Sequence, residues 1–176
     1  VTSSPKLYYS KTYKIRVTTV VKDAAGNAMS DNDTNGFETS ITFPITAGSA
    51  HSCYMLDNGS VKCWGKNNLG QLGLGDTNNL GDNASDMGDN LPVVDLGTGR
   101  TAKAIAAGGN HTCAILDNAS IKCWGYNASG QLGLGNTTDS LSASAVNMGS
   151  GITVKSIAAG GNHTCAILDN SSVMCW

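Results

Sequence analysis

The sequence predicts an all-β chain of repeated sheet units with the content of a partial β-propeller, and three observations carry that prediction. The stretch Ile105–Asn118, Ile-Ala-Ala-Gly-Gly-Asn-His-Thr-Cys-Ala-Ile-Leu-Asp-Asn, recurs unchanged at Ile157–Asn170. A looser copy keeps Ala47, Gly48, His51, Cys53, Leu56, Asp57 and Asn58 at the same spacing, so His51, His111 and His163 mark three registers, 60 and then 52 residues apart. Internal repetition at such a period belongs to solenoids, arrays or propellers. Thirdly, each copy carries about four short β-prone runs and needs no helix, which is the strand content of one propeller blade.

Composition narrows the class. Of the 176 residues 40% are hydrophobic, enough for a packed core, while only 14% are charged and the net charge is −2. A surface of this kind lacks the clustered Lys and Arg that displace counterions from phosphates, so nucleic acid is excluded as a partner. No apolar run reaches the roughly 18 residues a spanning helix needs, so membrane insertion is not expected. Val1 to Pro5 lacks the basic start and apolar stretch of a signal peptide. Trp176 ends the chain where the earlier copies continue as Trp64-Gly65 and Trp124-Gly125, so the expectation is a fragment of something longer.

Taken in order, residues 1–44 stand outside the repeat. Lys11 to Lys22 alternates Tyr13, Ile15 and Val17 with polar neighbours and is rich in β-branched residues, which predicts a strand. A turn follows at Asp23–Asn27, and Gly36 to Pro44 alternates again as a second strand. Two strands are not independently stable. The run Thr-Tyr-Lys-Ile-Arg-Val-Thr-Thr-Val-Val-Lys-Asp-Ala-Ala-Gly-Asn-Ala-Met resembles the last third of a bacterial immunoglobulin-like domain. That resemblance implies that 1–44 are the closing strands of such a β-sandwich in a mosaic of surface-type modules. Within it, Asp31, Asp33 and Asn35 match the first, third and fifth positions of a calcium loop with Gly36 at the sixth, but the twelfth position is Thr42 rather than Glu. A polar turn is the plain reading, and calcium is carried as the one cofactor candidate.

From Ile45 the repeat takes over, as copies 45–104, 105–156 and 157–176. In each, a short apolar run, then Asp-Asn and Gly, Ala or Ser, then a second β-prone run predicts a hairpin, placed in the second copy at Cys113–Leu116 and Ser120–Trp124. The six cysteines fall as Cys53/Cys63, Cys113/Cys123 and Cys165/Cys175, always ten positions apart. Folding the hairpin sets each pair nearly opposite on neighbouring strands, where a disulfide is reachable. Three such bridges imply an oxidising compartment, extracellular or at a cell surface. Gly70–Gly75 and Gly130–Gly135, Gly-Gln-Leu-Gly-Leu-Gly, are too glycine-rich for a helix. A further strand is expected around Val93–Leu96 and Val146–Met148. The first copy carries eight extra residues within Asp76 to Asn90, which marks an exposed loop.

The pattern His-x-Cys-x-x-Leu-x-x-x-x-Val/Ile-x-Cys-Trp-Gly-x-Asn-x-x-Gly-Gln-Leu-Gly-x-Gly resembles the repeat of the regulator of chromosome condensation family, which forms seven-bladed β-propellers. The resemblance covers about three quarters of the chain and implies about two and a third blades of four-stranded antiparallel sheet, the remaining blades being partners within the full-length chain. The cysteine pair resembles the form found in secreted bacterial members. Family members include a nuclear exchange factor for a small GTPase and a secreted inhibitor of β-lactamases, so the resemblance implies a fold and no particular functional residue.

The motifs read as scaffold. His111 and Cys113 with Cys123 across the hairpin would offer zinc three ligands, but a fourth is lacking and the set stands in every copy. A residue present in every blade serves the blade, so His51, His111 and His163 are expected to be structural. The glycine segment has the wrong spacing for phosphate and no following helix. Trp64, Trp124 and Trp176 are expected to fill space between sheets rather than to stack on sugars. Nine Asn-x-Ser/Thr matches, at Asn32, Asn58, Asn83, Asn110, Asn118, Asn127, Asn136, Asn162 and Asn170, follow from the composition. No nucleophile, triad or acid pair stands out, so no enzymatic step is expected. The expected function is a binding module of a secreted or surface-anchored bacterial mosaic protein, adhesive in type, that recognises a protein or glycan through the loop Asp76 to Asn90. The alternative is a regulatory propeller acting on an enzyme or small GTPase as inhibitor or exchange factor.

Overall fold

In the computed structural model residues 45–176 are described. The strands expected within 1–44 and the candidate calcium ligands Asp31, Asp33 and Asn35 lie outside the described residues. Ten strands form three antiparallel sheets. The first sheet holds β1 (Ile45–Ala47), β2 (His51–Met55) and β3 (Val61–Gly65). The second holds β4 (Ala102–Ala107), β5 (His111–Leu116), β6 (Ile121–Gly125) and β7 (Ser140–Ala145). In the third, β8 (Val154–Ala159), β9 (Thr164–Leu168) and β10 (Val173–Cys175) repeat the same up-and-down order. Helix among the described residues is limited to one 3-10 turn at Gly88–Asn90. This is a partial propeller, with one complete four-stranded blade between two of three strands.

The hairpin at the heart of each blade follows from its turn. Leu56 N donates to Ser60 O at 2.8 Å, Gly59 N to Leu56 O at 2.8 Å, and the Asn58 side chain accepts from Ser60 N at 2.9 Å. That is a three-residue loop whose last residue sits at positive φ. Gly59 (φ 78) takes it freely, whereas Ala119 (φ 62) and Ser171 (φ 67) hold the same position with a side chain. The turn fixes the register: Cys53 pairs with Cys63, Cys113 with Cys123 and Cys165 with Cys175, directly opposite, with each Cα pair 4.1 Å apart. All six cysteines are joined in these three cross-strand disulfides and none is free.

The fourth strand is where the fold departs from expectation. It runs over Ser140–Ala145, ahead of the expected Val146–Met148, and it is interrupted, because Gly125 pairs with Ser140 while Cys123 pairs with Ser144 and Lys122 with Ala145. In the first copy no continuous fourth strand forms. Two isolated bridges, Gly65 to Leu80 and Lys62 to Val93, stand at the matching places. The extra residues of the first copy thus lie inside the bulge of its fourth strand, and they part the strand into its two ends.

The core lies between blades rather than within one. Cys53, Val61, Cys63 and Leu72 of the first blade bury against Ala114, Leu116, Trp124 and Ala143 of the second. Cys113, Ile121, Cys123 and Leu132 of the second pack in turn with Ala166 and Leu168 of the third. Strand β5 is buried at every position and β10 is exposed at every position.

Candidate functional site

The repeated polar residues meet at the joints between blades. His51 Nε2 lies 2.9 Å from Thr112 Oγ1, and His111 Nε2 lies 2.8 Å from Thr164 Oγ1. Each threonine hydroxyl also donates to the carbonyl of a glutamine in the preceding blade, Thr112 to Gln71 at 3.0 Å and Thr164 to Gln131 at 2.9 Å. A hydroxyl has one hydrogen, and a carbonyl can only accept. The threonine therefore accepts from histidine, so Nε2 carries the proton and Nδ1 is bare. Nδ1 of both histidines is buried without a hydrogen-bond partner. Burial holds His51 down to about 4, and burial together with the repulsion of His51 and His163 holds His111 down to about 4. Both rings are neutral at pH 7.

Trp124 and Trp176 serve the same joints. Trp124 is fully buried, donates Nε1 to Gln71 O at 3.0 Å, and lies against Gly73, where a Cβ would come within 2.7 Å of the indole nitrogen. Trp176 lies against Gly133 in the same way. Trp64 is only half-buried, beside Gly81, and His163 is exposed. At each joint a buried asparagine organises the glycine segment. Asn67 Oδ1 accepts from Leu72 N and its Nδ2 donates to Asp76, while Asn127 does the same with Leu132 and Asn136. Sequence reasoning passed over Asn67, Asn127, Thr112 and Thr164 as site residues. The signal was present, since each recurs at fixed spacing from its histidine or Trp-Gly pair.

What varies between copies is the insertion, and it is built rather than loose. Asp86 Oδ2 accepts from Gly81 N at 3.1 Å and Asn83 N at 3.2 Å, and these bonds hold its carboxyl below the usual carboxylate range. Asn90 donates to Ser85 O at 2.8 Å, and Lys62 Nζ reaches Gly88 O at 3.2 Å. From Asp76 to Asn90 there are four aspartates and no Lys or Arg. Among the described residues no three His, Cys, Asp or Glu side chains are grouped to hold a metal. The sulfurs of Cys113 and Cys123 are bonded to each other and offer zinc no thiolate. No helix of the described residues is long and apolar enough to cross a membrane.

Sheets packed face to face and joined through His, Thr, Gln and Trp define a class of β-propeller in which the repeated motif is the joint between blades. The family follows from the sequence comparison. Residues 45–71 and 102–131 match the regulator of chromosome condensation (RCC1) repeat, and residues 123–167 match it again, together more than half of the chain. The chain belongs to that family. It is 34% identical over 125 residues to the ultraviolet-B receptor UVR8 of Arabidopsis thaliana, which is 70% of this chain and 26% of the receptor. It is 35% identical over 118 residues to protein RCC2 of Homo sapiens, 66% of this chain and 21% of that protein. The chain thus spans about a quarter of the length of these relatives. Human WBSCR16 shares the fold with a TM-score of 0.62 at 23% identity, covering 75% of this chain and 32% of that one. Yeast RCC1 (Prp20), solved bound to Kap60, shares it at 0.59 with 19% identity, covering 75% and 31%.

Proposed function

We propose that this chain is part of a non-enzymatic binding module in an exported bacterial mosaic protein, and that its ligand is a protein. The observation that carries the reading is the insertion Asp76–Asn90, a folded acidic loop that the first copy has and the second lacks, seated on a scaffold whose repeated residues are spent on the joints. Three disulfides with no free cysteine suit an oxidising extracellular setting. A protein ligand is preferred to a glycan because the loop from Asp76 to Asn90 carries four aspartates and no aromatic ring on which a sugar could stack. The yeast neighbour's complex with Kap60 is likewise one of protein with protein. In this reading the segment 1–44 is the immunoglobulin-like module, followed by copies 45–104, 105–156 and 157–176, and Asp31, Asp33 and Asn35 are its candidate calcium ligands. His51, His111, His163 and the three tryptophans belong to the scaffold, and the adhesive role rests with the loop.

A photo-crosslinking residue placed at Asn83 of the full-length protein tests this, with the same residue at Asn118 as the control. A discrete protein adduct from Asn83 and none from Asn118 is the expected result. Equal labelling from both positions, or none from Asn83, overturns it. Thiol titration of the native protein separates the readings of compartment: no free thiol supports export, and six free thiols favour an intracellular regulator of an enzyme or GTPase.

A further inference from the structure

The joint between the first two blades opens outward into a cleft of about 440 Å³. Leu74, Leu80, Pro92 and Val93 give it an apolar wall, and Asp76 and Asp95 stand at its edge. The second blade closes it from the far side, where Leu74 bridges to Ser142 and Gly75 N donates to Leu141 O at 2.9 Å.

The two aspartates are informative because the second copy shows what the fold requires at their positions. Asp76 Oδ1 accepts from Asn67 Nδ2 at 3.1 Å and from Asn78 N at 2.9 Å. At the matching place Asn136 Oδ1 accepts from Asn127 Nδ2 at 3.2 Å and from Thr138 N at 2.9 Å. Asp95 Oδ1 accepts from Gly97 N at 2.8 Å, and Asn147 Oδ1 accepts from Gly149 N at 3.0 Å. An amide oxygen does the structural work in each case, so both negative charges of the first copy are surplus to the fold. The reverse exchange, Asn79 for Asp139, falls on a side chain that lines the space beside Trp64 instead. Neither carboxylate has a salt-bridge partner among the described residues. The Lys122 ammonium lies near Gly97, yet among the described residues the only ion pair is Arg100 with Asp117.

We propose that this cleft receives an arginine or lysine side chain of a protein partner, the aliphatic stem lying on Leu74, Leu80 and Val93 and the cationic head between Asp76 and Asp95. A long basic side chain has this division into apolar stem and charged end, and a guanidinium paired with carboxylates forms charge-assisted hydrogen bonds. Val93, 52% exposed, is the apolar surface such a stem would cover. The inference rests on the protein-binding reading above and deepens it by naming the chemistry of the contact.

The test is fluorescence anisotropy on the full-length protein with a labelled Gly-Arg repeat peptide, compared with the same peptide carrying neutral citrulline. The variant D76N/D95N removes both charges while keeping the acceptor oxygens that the second copy shows to suffice, and D57N/D169N removes two exposed charges outside both the cleft and the loop. The expected result is binding of the arginine peptide alone, weakened about tenfold or more by D76N/D95N and less than about twofold by D57N/D169N. Equal loss in the two variants, or binding of the citrulline peptide, overturns the proposal. So does a saturable calcium titration that displaces the peptide and is abolished by D76N/D95N, which would make the cleft a metal site. The two readings fail separately. Crosslinking at Asn83 without peptide binding sinks the cleft and leaves the module, and peptide binding without any adduct does the opposite.

Discussion

Thr112 shows how much of a blade joint rests on one hydroxyl. It is fully buried, accepts from His51 and donates to Gln71 across the joint. Thr112→Val keeps the shape and strands the His51 Nε2–H, while Gln71 O keeps its bond from Trp124, so urea unfolding should show a loss of about 2 kcal/mol, whereas Thr112→Ser should lose under about 1 kcal/mol. The neutral histidines add a dependence on pH. Folded His51 and His111 resist protonation down to about 4, while the unfolded chain takes up protons near the ordinary value of 6.5. Between those values the unfolded state binds more protons, so stability is full at pH 7 and falls as pH drops through 6.5 toward 4. Melting temperatures across that window check the sign, and a flat profile would contradict neutral buried rings. At the hairpin turns, Ala119 and Ser171 sit at positive φ where the first copy has glycine. Ala119→Gly should therefore stabilise by up to about 1 kcal/mol in the same denaturation experiment. Gly59→Ala should destabilise, since its Cβ would meet Thr101 at 2.6 Å.

At the scale of elements, the hairpins and their cysteine pairs were legible because spacing, turn residues and β-branched runs agree. The fourth strand was not. Its partners are set by a bulge, and a bulge leaves no period in the sequence, so the apolar run Val146–Met148 drew the expectation past the strand's actual span, Ser140–Ala145. The joint residues Thr112 and Asn67 were visible as repeats, but what they bond is decided by the neighbouring blade, which no local pattern encodes. The insertion gives a prediction of its own. Lys62 Nζ holds the carbonyls of Gly88 and Asp89, at 3.2 and 3.4 Å. Lys62→Met should raise amide hydrogen exchange at Gly88–Leu91 severalfold and leave strands β5 and β6 unchanged. Equal protection in both proteins would mean that the loop holds itself.

For the molecule as a whole, repetition fixed the architecture, and the differences between copies located the places to look for function. Each blade buries its faces only against its neighbours, so damage at one joint should be felt as a parting of two sheets. Gly73→Ala, at φ 74 and against the Trp124 ring, should cost about 2 to 4 kcal/mol. The change should appear in tryptophan fluorescence, since the indole that donates to Gln71 would be displaced toward water. Unaltered emission would mean that the ring yields without opening the joint.

The bulge in the fourth strand separates loop length from strand register. The bridge of Gly65 to Leu80 and that of Lys62 to Val93 hold in the first copy, as Gly125 to Ser140 and Lys122 to Ala145 hold in the second, although very different lengths of chain run between them. A segment entering there leaves and rejoins the sheet at two anchored points. The blade is in that respect a display scaffold: a foreign peptide grafted between Leu80 and Val93 should be presented with both ends pinned and the joints on either side undisturbed.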